Sequence, residues 1–319
     1  MLGVGLIGGS IGLAARRRTG AYVVGYDREA SALSSAVELG AIDEPAFAIS
    51  DAVRDADVVF IATPVGAATE TALLALEAAG PECALSDVGS TKRAIVGAIS
   101  DPRFVGGHPL AGAETAGVGS AREDLFQDAT WYLTPAAGAA WSAAGAGSHG
   151  VGAQAPGKTD ASTDLKTTPP VDAAPWAVER LRGVIERIGG KPAAIEPDAH
   201  DRLMASVSHL PHVLANVLVA QAMQAIGSDG ATLDPDVLLG SGPSFRDATR
   251  VAGANTAIWI DIYLSNRDML AEALDGAIHE LSAVRDALSA GDAQRLAAWN
   301  ERARVERAGL RRAGLASGS

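Results

Sequence analysis

The run Gly3-Val4-Gly5-Leu6-Ile7-Gly8 constrains this chain more than any other feature. It has the form G-x-G-x-x-G, and Gly9-Ser10-Ile11-Gly12 continues it into a helical pattern. Glycines at this spacing permit a tight turn and bring the amides of a helix N-terminus against a pyrophosphate. The strand-like segment Tyr22–Asp27 ends in a carboxylate nineteen residues past Gly8. A carboxylate there accepts hydrogen bonds from adenosine ribose hydroxyls and repels a 2′-phosphate, which favours NAD over NADP. Arg28, next in sequence, is of the type that holds a 2′-phosphate and argues the other way. Alone, the glycines are compatible with an ordinary turn; glycines, helix, strand and acid in register point to a dinucleotide cradle. Gly3, Gly5, Leu6, Ile7, Gly8, Asp27 and Arg28 form its expected wall, with Thr63 and Pro64 ending a later strand above the cofactor.

The segments that follow alternate. Strand patterns at Tyr22–Asp27, Asp57–Thr63, Ala84–Val88 and Phe104–Gly107 are separated by helical patterns at Ala30–Leu39, Ala67–Ala79 and Lys92–Ile99. With the first helix, Gly9–Thr19, this implies a parallel sheet covered on both faces, an α/β doubly wound architecture. Trp131–Thr134 reads as a further strand. Only Met1 and Leu2 precede Gly3, where the motif ordinarily follows a central strand of about five residues. Two expectations follow: either the natural start lies upstream and supplies the strand, or the centre of the sheet is left unfilled.

From Ala136 to Pro175 the chain is Ala, Gly, Ser, Thr and Pro with almost no large apolar residue, which reads as a flexible insertion. A helix at Trp176–Ile188 and a strand near Pro192–Ile195 close the first domain, 1–197. From Asp198 onward only helical spacing remains, as in Leu203, Val207, Leu210, Leu214 and Leu218, then Ile258, Ile262 and Leu270, then Leu274, Ile278, Leu281 and Leu288. The second domain, 198–319, is therefore expected to be all-helical, with apolar faces long enough to need a partner chain.

Composition narrows the function classes. The chain has 319 residues, 48% hydrophobic and 20% charged, enough apolar side chain for a real core. Its formal net charge is −12, against a general nucleic-acid binder, which needs clustered Lys and Arg. A single cysteine, Cys83, excludes an internal disulfide framework and a cysteine-based metal cluster. No uninterrupted apolar run is long enough for a membrane helix. Arg16, Arg17 and Arg18 follow the first apolar stretch instead of preceding it, the reverse of a secretory signal, so the expected compartment is the cytoplasm.

Four more segments complete a set: Asp87-Val88-Gly89-Ser90-Thr91-Lys92, Gly106-Gly107-His108-Pro109-Leu110-Ala111-Gly112 with Glu114, Ser208-His209-Leu210-Pro211-His212, and Phe245-Arg246-Asp247-Ala248-Thr249-Arg250. In this order, and with the glycine loop, they resemble the prephenate dehydrogenase family of tyrosine biosynthesis. The resemblance runs from Gly3 to about Leu288, apart from the insertion. It implies a Rossmann domain, a helical dimerisation domain, and NAD-dependent oxidative decarboxylation of prephenate to 4-hydroxyphenylpyruvate by a cytoplasmic homodimer without nucleic-acid or membrane partners.

His108 follows a strand and precedes a proline, at the carboxyl edge of the sheet where ligands bind in open α/β folds. A neutral imidazole there can accept the substrate's hydroxyl proton as hydride leaves; the bland reading is a histidine capping a loop. By the resemblance His108 is the catalytic base, and Ser90 orients it and touches the hydroxyl; Ser90 also suits a helix N-cap. Arg250 is a carboxylate binder by chemistry and by the resemblance, or an i, i+3 ion pair with Asp247. His209 and His212 share a helix face, and Pro211 between them kinks the helix. Two histidines without a third ligand make a poor metal site, and no metal is expected. The resemblance gives both to the substrate, His212 foremost; for His209, helix packing is the alternative. Glu114 matches a position near the cleft entrance, with gating or an ionic link to Arg246 or Asp247 as its expected role, or none beyond the surface. His200-Asp201 fits the pattern and is expected at the interdomain junction, while Trp259 is expected in the core or at a dimer contact.

Other readings are weaker. Arogenate dehydrogenase catalyses the same reaction on the amino analogue, and one or two pocket contacts can separate the two. A β-hydroxyacid dehydrogenase would need a lysine in the helical region, and none follows Lys191. A non-catalytic NAD-binding protein would have no need of Ser90, His108 and Arg250 together.

Overall fold

The computed structural model describes residues 1–112, 115–135, 172–225 and 242–312. Glu114 lies outside them, as does nearly all of the insertion expected at Ala136–Pro175. Packing divides the chain into two compact units, Met1–Asn266 and Arg267–Ser319.

The first unit holds the sheet. Its strands are β1 (Val24–Tyr26), β2 (Glu44–Ala46), β3 (Val58–Ile61), β4 (Ala84–Asp87), β5 (Phe104–Pro109), β6 (Thr130–Thr134) and β7 (Lys191–Ala194). β1 and β2 pair in parallel, as do β3, β4 and β5 in succession. β6 runs antiparallel to β5, and β7 pairs in parallel with β6. β2 is too short and too poor in β-branched residues to read from sequence.

Residues 1–3 join the two halves. Leu2 bridges in parallel to both Tyr26 and Ile61. Leu2 N donates to Phe60 O at 2.9 Å, Gly3 N to Tyr26 O at 2.8 Å, and Ala62 N to Leu2 O at 2.6 Å. The centre of the sheet is thus filled, contrary to the expectation of a gap. Leu2 is fully buried, so one apolar side chain and its paired peptides do the work of a longer strand.

Helices α1 (Leu6–Thr19), α2 (Ala30–Leu39), α3 (Ile49–Val53), α4 (Val65–Ala78), α5 (Arg93–Ala98) and α6 (Pro175–Arg187) alternate with the strands. Strand pleating sends successive side chains to opposite faces. On β3, Phe60 joins Ile11, Trp131, Leu181 and Ile185 on one side. Val59 and Ile61 join Ala72, Leu76, Leu85 and Ile95 on the other. The expected Rossmann-type architecture is present.

α7 (Pro197–Met204), a π turn (Ala205–His209) and α8 (Leu210–Ala225) form one continuous helical run. Pro211 has no N–H, and its ring crowds the carbonyl four residues back. The wider π turn beside it is where the helix absorbs the expected kink. By length and composition Pro197–Gln224 could cross a membrane, yet it carries His200, Asp201, His209 and His212, all buried within this unit. α9 (Pro243–Thr249), a 3₁₀ turn (Arg250–Gly253) and α10 (Thr256–Ser265) follow. Asn255 caps α10 by accepting from Ala257 N and Ile258 N.

The second unit is a hairpin of α11 (Arg267–Ser289) and α12 (Ala293–Arg312). Glu280 holds it by accepting from Trp299 Nε1 at 3.2 Å and Arg302 Nη2 at 2.7 Å.

Candidate functional site

A cavity of about 710 Å³ opens along the carboxyl edge of the sheet, with Gly3, Gly5, Leu6, Ile7, Asp27, Arg28, Thr63, Pro64 and Ser90 on its wall. Gly3 has φ of +91°, and a Cβ there would lie 2.6 Å from Ala62 O, so the turn requires glycine. A Cβ on Gly5 would meet no protein atom within 4 Å, which leaves the space before the helix open to a ligand. Gly5 is the N-cap of α1 and supplies no side-chain acceptor to its first amides. Those amides, with the helix dipole, suit a pyrophosphate. Asp27 is held by Val4 N at 2.9 Å on Oδ2 and Glu29 N at 3.0 Å on Oδ1, which leaves lone pairs for ribose hydroxyls. The Thr63 hydroxyl is buried without a hydrogen-bond partner among the described residues. The residues present fit a dinucleotide. Gly8 stands apart from this wall. It is buried in α1, where a Cβ would lie 2.0 Å from Gly3 O, so its part is to let helix and turn pack closely.

His108 lies on β5, buried, and its Nδ1 is 2.9 Å from His200 Nε2 on α7. His200 Nδ1 is 2.8 Å from Asp201 Oδ1. Asp201 also accepts from Lys92 N at 2.7 Å and Arg93 N at 3.0 Å, at the start of α5. Burial raises the Asp201 pKa, but the bonds from His200 and from the Arg93 and Lys92 amides outweigh it and hold the carboxyl below its usual range. An ionised Asp201 places a His200 proton on Nδ1. In the tautomer with its single proton there, His200 Nε2 accepts, so His108 carries its proton on Nδ1 and presents a lone pair at Nε2. Burial, then His200, Lys92 and His209, push the His108 pKa well below 6.5, so the imidazole is neutral at physiological pH.

The Nδ1 partner of His108 is His200, while Ser90 lies in the β4–α5 turn on the cavity wall. His200 and Asp201 are a junction only in the sense that they reach from α7 to the sheet edge. Their signal in the sequence was two adjacent ionisable residues opening an apolar helix.

His209 and His212 flank Trp259 on α10. The His212 ring stacks on it at 3.6 Å and 8°, and His209 meets it edge-on at 6.1 Å. His212 Nδ1 bonds the Tyr263 hydroxyl. His209 Nδ1 accepts from Asn266 Nδ2 at 3.2 Å. Nε2 of His209 is buried and lacks a partner among the described residues, whereas His212 also has the Val251 backbone as a hydrogen-bond partner. Burial lowers both pKa values, that of His209 to about 4. Trp259 lines the cavity beside Asn255, Ile258 and Ile262, so it belongs to the site and not to a core or dimer contact alone. Arg250 is exposed at the head of the 3₁₀ turn and is not on the cavity wall, although Ala254 just after that turn is. Among the described residues no three His, Cys, Asp or Glu side chains gather as a metal site requires.

The family described as prephenate dehydrogenase, nucleotide-binding domain, matches residues 11–143, and prephenate dehydrogenase, dimerization domain, matches 196–301. The chain is 32% identical over 321 residues to the prephenate dehydrogenase of Bacillus subtilis, covering 97% of this chain and 75% of that protein. The crystal structure of prephenate dehydrogenase from Aquifex aeolicus in complex with hydroxyphenyl propionate and NAD⁺ superposes with a TM-score of 0.77 at 26% identity, over 97% of this chain and 96% of that one. Synechocystis arogenate dehydrogenase superposes with a TM-score of 0.71 at 25% identity, over 97% and 98%.

Proposed function

Because this chain belongs to the prephenate dehydrogenase family, we propose that it converts prephenate to 4-hydroxyphenylpyruvate and CO₂ with NAD⁺. The observation that carries the reading is the buried His108–His200–Asp201 chain beside a dinucleotide cradle. Gly3, Gly5, Leu6 and Ile7 would hold the pyrophosphate, Asp27 and Arg28 the adenosine ribose, and Thr63 and Pro64 the nicotinamide end. The chemistry NAD⁺ supplies when bound is acceptance of a hydride.

Every other step falls to side chains of this protein. His108 Nε2 takes the ring hydroxyl proton as hydride leaves the same carbon. The ring carboxylate departs as CO₂, and its bonding pair completes the aromatic ring as a phenolate. His108 then returns the proton, so none is released overall. Asp201, through His200, keeps the His108 lone pair aimed outward and offsets the imidazolium that forms transiently, as the carboxylate does in a Ser-His-Asp triad. Ser90 contacts the hydroxyl from the cavity wall. His209 and His212 offer ring N–H groups, and Arg250 its guanidinium, to the substrate carboxylates. The helical segments pair two chains into a homodimer that acts in the cytoplasm on this small substrate, with no nucleic-acid or membrane partner.

Similarity to the Synechocystis enzyme keeps arogenate as the second reading. The test is NADH formation from prephenate and from arogenate, with NAD⁺ and NADP⁺, beside a His108→Asn variant. The expected outcome is turnover of prephenate with NAD⁺ and a loss of about 10²–10⁴-fold in the variant. Turnover of arogenate alone would move the assignment to the second reading.

A further inference from the structure

The mechanism leaves one buried ion pair unused. Asp87 ends β4 and Lys92 is the N-cap residue of α5; their side chains are 1% and 0% exposed. Burying two charges costs more than burying an apolar pair of the same size, so stability alone does not account for them. The contacts of the pair do. Asp87 Oδ1 accepts from Gly107 N at 3.0 Å, the residue before His108. Asp87 Oδ2 accepts from Gly89 N at 2.8 Å, the residue before Ser90, and from Lys92 Nζ. The Lys92 amide in turn donates to Asp201. A closed circuit results: His108 to His200, His200 to Asp201, Asp201 to the Lys92 backbone, Lys92 Nζ to Asp87, and Asp87 back to Gly107 beside His108.

The strand is packed tightly around the pair. A Cβ on Gly107 would lie 2.4 Å from Ser86 Oγ and 2.6 Å from Asp87 O. A Cβ on Gly106 would lie 2.3 Å from Thr134 Oγ1 and 2.8 Å from Val96 Cγ2. Only glycines let β5 pass this close to β4, β6 and α5.

We propose that the Asp87–Lys92 pair is a positioning device for the oxidation, holding the backbones of Ser90 and His108 in one register so that the proton leaves the hydroxyl oxygen and the hydride its carbon along fixed lines. Neither residue touches substrate; both act through Ser90 and His108. The inference rests on the reaction proposed above. The groups facing His108 are His200 and Asp201 from α7, His209 from the π turn, Tyr132 opposite it on β6, and Lys92 with Asp87 from the β4–α5 turn. Lys92 adds to burial and to His200 in holding His108 neutral, although its own burial lowers the Lys92 pKa against the pull of Asp87.

The test uses the full chain with Lys92→Met, the charge-free pair Asp87→Asn/Lys92→Met, and His108→Asn. Lys92→Met alone strands a buried carboxylate and is expected to lose stability, so the double variant carries the test. It is expected to melt within a few degrees of the parent, to bind NADH with unchanged affinity, and to keep KM for prephenate within about threefold. Its kcat is expected to fall about 10- to 100-fold, the scale of a small misplacement of reacting groups. An active double variant with unchanged kcat overturns the proposal, as does a double variant that cannot fold, which makes the pair a folding element. A parent chain inert towards prephenate, or a His108→Asn variant at the parent rate, overturns the reaction reading and this inference with it. Active parent, inactive His108→Asn and unaffected double variant overturn the inference alone.

Discussion

His108 and His209 are neutral in the folded protein because burial makes their charged forms expensive. That has a consequence for acid stability. In the unfolded chain a histidine takes up its proton near pH 6.5, whereas folded His209 does so only at about 4. Between those values the unfolded state binds more protons, so stability falls as pH drops through the window and is unaffected above it. Asp201 works at lower pH: its depressed carboxyl stabilises the fold at neutral pH, and that contribution is lost only below the ordinary carboxylate range. His209 is expected to leave the melting temperature unchanged above pH 7 and to lower it below 6.5, on top of the decline from about pH 8 that the buried Met1 amine, held down to about 5, produces. His209→Gln, which keeps an acceptor for Asn266, should restore on the order of 3 kcal/mol at pH 4. A melting profile equally steep in that variant would assign the decline to other groups.

At the scale of elements, the turn from Gly3 into α1 separates two demands that its glycines meet at once. Gly5 leaves room for a ligand, and Gly8 leaves room for the protein's own backbone. Gly5→Ala places a methyl where no protein atom lies, so its stability should change by less than about 0.5 kcal/mol while NADH affinity falls. Gly8→Ala drives a methyl into Gly3 O and should cost roughly 2–3 kcal/mol or more, with cofactor binding lost as a consequence of the damaged turn. Thermal unfolding and NADH titration of the two variants distinguish the cases. Equal loss of stability in both would mean that Gly5 too is required for packing.

At the scale of the whole molecule, exposed apolar residues recur on the helices that follow the sheet. Ile278, Leu281 and Leu288 are about 60% exposed and share one face of α11; Val217, Leu218, Ile258 and Leu264 are exposed on α8 and α10. Apolar surface on this scale marks an interface more often than a free surface. A homodimer is expected by sedimentation at micromolar concentration, and Leu281→Glu should shift it towards monomer. A stable parent monomer under those conditions would rule out α11 as the seam.

The linear order of residues was sufficient for everything with a short-range cause. The glycine loop, the carboxylate at the end of β1 and the alternation of apolar strands with helices were legible because turn sterics, helix termini and side-chain periodicity act over a few residues. Ala30–Leu39 was found to the residue, while β2 was missed because three residues without an apolar run carry no period. Leu2 could not be read as a strand at all, since it becomes one only by pairing with β1 and β3. The same holds for the site. His108 and Ser90 were visible at the sheet edge, but that His200 and Asp201 set the tautomer of His108, that Trp259 belongs to the cavity, that Gly8 serves packing and that Arg250 lies off the cavity wall were not. The contacts of His108 with His200 and of His212 with Trp259 join residues far apart in sequence, and the others depend on how the backbone closes and on depth of burial. A hydrogen bond or a shifted pKa depends on distance in space and on excluded water, and both exist only once the chain has closed around them.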